Sequence, residues 1–137
     1  MHIPDLSHNC YVSSGKSLRA IGWLEGNHSF TKGPVSELAI QRLREHLQQP
    51  FVNIDSCGSH RCTLCESSAA PEGNGELIIP SEKICFVAPT LISHYVEVHR
   101  YQPPAEFIQA LLACPPQGSS SYMKLLNPFI GELSSAA

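Results

Sequence analysis

Apolar residues recur at helical and strand spacings in alternate segments of this chain. Residues 20–24 (Ala-Ile-Gly-Trp-Leu) predict a short strand, and residues 51–54 predict another. Between them, Pro34 suits the first position of a helix. The apolar residues of that helix share one face: Val35, Leu38, Ala39, Leu43 and Leu47.

A β-hairpin followed by a helix is predicted for the middle of the chain. The β-prone runs at 76–79 and 84–87 are separated by the polar turn 80–83 (Pro-Ser-Glu-Lys). Thr90 is expected to cap the helix that follows. The apolar residues of this helix have helical spacing: Leu91, Ile92, Tyr95 and Val96.

Two more helices are predicted after Pro103 and Pro104. The first would bury Phe107, Ile108, Leu111 and Leu112. After a Gly-Ser-rich stretch at 117–121, the second would bury Tyr122, Leu125, Leu126, Phe129 and Ile130. The pattern therefore predicts an α+β fold with a small antiparallel sheet or hairpins and three to four helices.

The length of 137 residues, with 42% hydrophobic residues, suits one domain with its own core. We expect an irregular N-terminal arm at 1–17, a metal-binding α+β domain at 18–114, and a linker with a short helix at 115–137. Neither a leader-like apolar segment nor a run of about 20 apolar residues is found in the sequence. A cytoplasmic protein that does not bind membranes is expected.

Charge argues against nucleic acid as a partner. Nine Lys and Arg residues stand against twelve Asp and Glu residues, for a formal net charge of −3. The most basic helical face, formed by Arg42, Arg44 and His46, is interrupted by Glu45. Such mixed charge is typical of a solvated surface.

Cysteine and histidine spacing predicts a metal centre. Cys62 and Cys65 form a Cys-x2-Cys pair, and His94 and His99 follow some thirty residues later. Two thiolates and two imidazoles are a donor set that tetrahedral Zn²⁺ prefers. We therefore predict Zn²⁺ bound by these four residues, and the reserve ligands are Cys57 and His60.

The histidine spacing raises a geometric difficulty. Residues five apart on a regular helix are rotated by about 140° from each other, so the helix must end or distort near His99. Each histidine also has an ordinary alternative: His99 shares a face with Tyr95 and could belong to the core, and His94 could be a surface residue.

The remaining cysteine chemistry is weighed against metal binding. A redox role for Cys62-x2-Cys65 is the alternative, but redox pairs of this kind begin a helix, and here a Pro- and Gly-containing loop follows. Cys85 and Cys114 lie in apolar runs and are expected to be buried. Cys10 has no evident role.

The order of a cysteine turn, a hairpin and a histidine-bearing helix is topologically similar to treble-clef zinc domains. A set of short segments also resembles a group of uncharacterised bacterial proteins over about residues 20–112. These segments are 22–24 (Gly-Trp-Leu), 59–65 (Ser-His-Arg-Cys-Thr-Leu-Cys), 75–77 (Gly-Glu-Leu), 88–95 (Ala-Pro-Thr-Leu-Ile-Ser-His-Tyr), His99 and 101–108 (Tyr-Gln-Pro-Pro-Ala-Glu-Phe-Ile). The resemblance implies a compact α+β domain of the zinc type and no particular substrate.

Two functions are compatible with such a site. In the first, zinc is structural and the domain binds another protein, through the surface from His94 to Tyr101, where Tyr95 would also offer contacts. The alternative is a metal-dependent hydrolase with an open coordination position and Glu97 as general base. The spacing of Glu97 differs from the His-Glu-x-x-His arrangement of such enzymes.

Overall fold

The computed structural model describes residues 2–8, 15–51, 60–65, 70–73 and 75–133. A 3-10 turn, Asn127–Phe129, joins the last two helices. In chain order the elements are β1 (Leu18–Ala20), α1 (Glu37–Gln48), β2 (His60–Arg61), β3 (Glu72–Gly73), β4 (Glu76–Pro80), β5 (Cys85–Pro89), α2 (Ile92–His99), α3 (Ala105–Ala113), α4 (Ser120–Leu126) and α5 (Ile130–Leu133). The predicted α+β class is confirmed.

The main sheet has three strands in the order β1-β5-β4. β4 and β5 form the predicted antiparallel hairpin, with Ile78 opposite Val87. β1 pairs with β5 in parallel, with Ala20 opposite Val87. The sheet is therefore mixed: the expected hairpin is present, and the parallel strand β1 was not expected. A long connection that contains α1 separates β1 from β5, and such a crossover allows parallel pairing.

The first strand ends earlier than the pattern predicts. β1 stops at Ala20, and Gly22 has a φ of 77°, which takes the backbone out of the extended conformation. Trp23 forms an isolated bridge with Ile3, and its indole Nε1 donates to the carbonyl of Val87 at 3.0 Å. The expected strand at 51–54 cannot be compared, because residues 52–54 lie outside the described ranges.

The described part of the N-terminal arm packs on the domain. The Leu6 amide donates to the carbonyl of Ala20 at 2.7 Å. The carboxylate of Asp5 accepts from the amide of Gly22 at 3.0 Å and from the hydroxyl of Tyr101 at 2.8 Å. Asp5 therefore joins the arm to the segment that follows α2.

Two helix starts differ from the sequence prediction. α1 begins at Glu37 because Ser36 is its N-cap, with Oγ accepting from the amide of Ala39. Leu38, expected inside, is 51% exposed, whereas His46 is buried against Gln117. α2 begins after Leu91, which has no side-chain cap, so Thr90 is not the cap.

The C-terminal helices cover one edge of the sheet. The hydroxyl of Tyr122 and the side-chain amide of Gln117 both donate to the carbonyl of Ile78 on β4, at 2.8 and 3.2 Å. These bonds block the edge on which another strand could add. Cys85 and Cys114 are buried as predicted. Within the described ranges, every helix is too short or too polar to cross a bilayer.

Candidate metal centre

The two cysteines lie on a turn directly after β2. The amide of Cys62 donates to the carbonyl of Pro71 at 3.0 Å, next to the short β2–β3 pair. Across that pair, the guanidinium of Arg61 contacts the carboxylate of Glu72 at 2.6 Å. Cys62 is buried, whereas Cys65 is half-buried. One thiol therefore lies in the interior and the other near the surface.

The two histidines lie on α2, and the end of the helix brings them together. Arg100 is left-handed, with φ 60° and ψ 26°, and its amide donates to the carbonyl of Tyr95, five residues back. The amide of Tyr101 donates to the same carbonyl at 3.1 Å. This wider last turn is the helix distortion that the spacing of His94 and His99 required.

The four predicted donors converge on one point. The ligating atoms of Cys62, Cys65, His94 and His99 all lie within 4.8 Å of one another. The two Nε2 atoms of the histidines are 3.2 Å apart. His99 Nε2 lies 3.4 Å from Cys62 Sγ and 3.3 Å from Cys65 Sγ, and His94 Nε2 lies 3.3 Å from Cys65 Sγ.

These distances match the edges of a small tetrahedron. With Zn–N bonds of about 2.0–2.1 Å and Zn–S bonds of about 2.3 Å, neighbouring donors lie about 3.3 Å apart for two nitrogens and about 3.6 Å for nitrogen and sulfur. Hydrogen bonding alone explains the cluster poorly. His99 Nε2 lies close to both cysteine sulfurs and to His94 Nε2, but a ring nitrogen carries at most one proton and cannot donate to all three. The four residues are therefore positioned to hold a metal ion, and the donor set is compatible with zinc.

Burial shifts the pKa values of Cys65 and His99 toward their neutral forms. Burial, followed by the neighbouring Cys62, raises the pKa of the Cys65 thiol. Burial, followed by the charges of His94 and Lys32, lowers the pKa of His99. A neutral imidazole is the form that binds a metal, whereas the thiols must lose their protons. A divalent cation at the centre would offset the charge of two thiolates.

The side chains of the two reserve ligands lie outside the described part of the structure. Cys57 lies outside the described residues, and only the backbone of His60, in β2, is described. The proposed base Glu97 forms an ion pair with Arg44 of α1. Its carboxylate is therefore held toward α1.

The suggested contact surface on α2 needs correction. Tyr95 is 4% exposed and Tyr101 is fully buried, so neither offers its ring to a partner. Burial also raises the pKa of both phenols. Both side chains belong to the core on which α2 packs.

Sequence reasoning missed the contact that holds the cysteine turn in place. The amide of Gly26 donates to Oγ1 of Thr63 at 2.7 Å. A Cβ at Gly26 would lie 2.4 Å from the carbonyl oxygen of Thr63, which is closer than real side chains come. The sequence marked Gly26 as part of a loop, but a contact 37 residues away leaves no local signal.

The burial of Glu76 was also not predicted from the sequence. Its side chain is buried, at 1% exposure, and within the described part of the chain neither carboxylate oxygen has a hydrogen-bond partner. Burial raises the pKa of Glu76 to about 7. The residue starts β4, opposite Pro89, at the edge of the core nearest β3. The local sequence carries no signal for this burial, because glutamate side chains are usually exposed.

Comparison with known families adds one finding. A family model described as "Domain of unknown function (DUF7919)" matches residues 1–112, which include the arm, the metal cluster and most of α3. A search of curated proteins and a search of solved structures each found no match. The match covers well over half of the chain. The protein therefore belongs to this family of unknown function.

Proposed function

We propose that this chain is a zinc-binding protein in which Cys62, Cys65, His94 and His99 bind one Zn²⁺ with a structural role. The observation that carries the proposal is the convergence of four donor atoms within 4.8 Å of one another. Four protein ligands fill a tetrahedral site, which is typical of structural zinc. The metal would join the cysteine turn to the end of α2.

The hydrolase alternative has less support. Catalytic zinc needs a position for water, and four protein donors leave none in a tetrahedral site. Glu97, the base that this alternative requires, is engaged by Arg44. The structural role is therefore the better interpretation of the cluster.

Metal content tests the proposal directly. Protein purified reduced and without chelators should contain one zinc per chain by elemental analysis. Cys62→Ser and His94→Ala should lose the metal and unfold at lower temperature, whereas the matched control Cys114→Ala should keep it. A zinc-free wild type would contradict the proposal. Zinc retained at full stability in His94→Ala would contradict this ligand set and point to Cys57 or His60.

We further propose that the domain is cytoplasmic and acts as a protein-interaction module through the exposed side of α2. Val98, which is 59% exposed beside His99, supports this choice of surface. Val98→Asp should reduce the amount of a specific protein captured with the chain from its native cells. Ile130→Asp, on α5 and similarly exposed, is the matched control. Equal capture by both variants and the wild type would contradict a contact at Val98.

A further inference from the structure

A cavity lies directly beside the candidate metal centre. It has a volume of about 440 Å³ and lies between the loop that follows β1, the cysteine turn and the end of α2. It is lined by Leu64 and His99, together with His28, Ser29, Phe30 and Lys32 of the loop. Small-molecule sites in proteins occupy a similar range of volumes.

The loop that forms the outer wall is attached at both ends. At its start, the amide of Gly26 donates to Thr63 on the cysteine turn. At its end, the backbone of Lys32 forms an isolated antiparallel β-bridge with Tyr101. The amide of Gly33 donates to the carbonyl of Arg100 at 3.0 Å. The loop is therefore attached to the cysteine turn and to the end of α2, which carry the four candidate metal ligands. A wall held in this way lowers the entropic cost of binding a ligand.

The cavity combines one cation with an apolar surface. The ammonium of Lys32 lies 5.3 Å from the centre of the Phe30 ring, and no carboxylate in the described residues forms an ion pair with it. The ring of His28 is already engaged, with Nδ1 2.8 Å from Asn27 Oδ1 and 3.9 Å from Glu25 Oε2. Lys32 therefore supplies the charge that is left for a ligand.

We propose that this cavity binds a small organic anion, with the carboxylate on Lys32 and Ser29 and the apolar part between Phe30 and Leu64. The inference goes beyond the proposed zinc centre and depends on it only through the wall formed by His99. The carboxylate of Glu25 lies near His28, and Lys32 is the one lysine or arginine among the lining residues, so Lys32 is the group on which an anion would be held. An anion with an apolar body fits both surfaces.

Benzoate is the probe for the first experiment, titrated into the ¹⁵N-labelled full chain. Backbone amide shifts near Phe30, Leu64 and His99 should move and saturate, with a dissociation constant on the order of 1 mM. Acetate lacks the apolar body and benzyl alcohol lacks the charge, so each should bind at least about fivefold more weakly. Saturation by benzyl alcohol at the same concentration as benzoate would overturn the role of charge.

Lys32→Gln is the decisive variant, and Lys83→Gln in the turn between β4 and β5 is its matched control. Lys32→Gln should weaken benzoate binding at least about fivefold with zinc content unchanged, and Lys83→Gln should bind as the wild type does. Equal binding by both variants, or no saturable shift in the wild type, would overturn the inference. Zinc content of the same samples decides the proposed metal centre separately.

Discussion

The hairpin β4–β5 and the metal cluster lie next to each other and are stabilised in different ways. All ten residues of β4 and β5 are buried, and five register pairs join the two strands. The β2–β3 pair beside the cysteines has two residues per strand, and its Arg61–Glu72 ion pair is exposed to solvent. Apolar burial stabilises the first region by about 25 cal/mol per Å². In the described part of the second region, Cys62 belongs to the core, whereas Leu64 and Cys65 are only partly buried against it.

This difference indicates where a bound metal would contribute most. The hairpin has its own buried core, whereas the described part of the cysteine turn is attached by the Cys62–Pro71 and Gly26–Thr63 hydrogen bonds and by partly buried side chains. Structural zinc supplies about 10–16 kcal/mol of binding free energy in small zinc domains. In this chain we expect that energy to act mainly on the turn and on the end of α2.

Removing the metal should produce the largest effect. Chelation of zinc should abolish amide hydrogen-exchange protection at Cys62 and Tyr101 and reduce stability by at least about 4 kcal/mol. The amides of Ile79 and Phe86, which face each other across the hairpin, should remain protected on the same timescale. Equal loss of protection in both regions would show that the chain unfolds as one unit and would remove the contrast.

Glu76 should make the stability of the core depend on pH. Its pKa is raised to about 7 in the folded protein from 4.5, so the folded state holds the proton more tightly. Stability is therefore highest when the group is protonated, and it is lost as pH rises through 7. The rise from 4.5 to about 7 corresponds to about 3 kcal/mol, which is lost as the pH rises from 4.5 to about 7.

Glu76→Gln provides the measurement, because both proteins share the metal cluster and its own pH dependence. The free energy of unfolding of the variant, minus that of the wild type, should increase between pH 5.5 and 8. A difference that stays constant with pH would contradict a raised pKa for Glu76.

Gly26→Ala should disturb the cluster from outside its ligand set. The new Cβ would lie 2.4 Å from the backbone oxygen of Thr63, so the cysteine turn must move. We expect a loss of about 2 kcal/mol in stability and at least about tenfold weaker zinc binding in a chelator competition. Gly131→Ala is the matched control, since nothing lies within 4 Å of its added Cβ. Similar zinc affinity in both variants would argue against this contact.

The smallest effect is expected for the Arg61–Glu72 pair. Both side chains are about half exposed, at 54% and 48%, and exposed pairs contribute roughly 0.2–1 kcal/mol. A double-mutant cycle with Arg61→Ala and Glu72→Ala should give a coupling energy of about 0.5 kcal/mol in unfolding experiments. A value above about 2 kcal/mol would mean that the β2–β3 pair stabilises this region without help from the metal.

The sequence predicted those parts of the molecule that depend on local pattern. The β4–β5 hairpin and the buried Phe107 and Leu111 follow from strand and helix periodicity. The convergence of Cys62 with His99 was predictable because metal donors have characteristic spacings. The need for the helix to distort near His99 also followed from helical geometry.

The features that sequence reasoning missed depend on distant contacts. The parallel pairing of β1 with β5 joins Leu18 to Cys85, and neither local sequence encodes the direction of that pairing. Tyr101 looked like a surface aromatic because its partner Asp5 lies 96 residues away. α1 begins directly after Ser36 rather than at Pro34, because the Ser36 hydroxyl accepts from the amide of Ala39 and caps the helix there.

Zinc-edge X-ray absorption of the reduced 137-residue chain measures the metal environment directly. The proposed site should hold one zinc per chain with two sulfur neighbours at about 2.3 Å and two imidazole nitrogens at about 2.0–2.1 Å. Loss of one sulfur neighbour in Cys65→Ser would assign the donor. A protein that binds no zinc, or a zinc shell made of oxygen neighbours without sulfur, would contradict the proposed site.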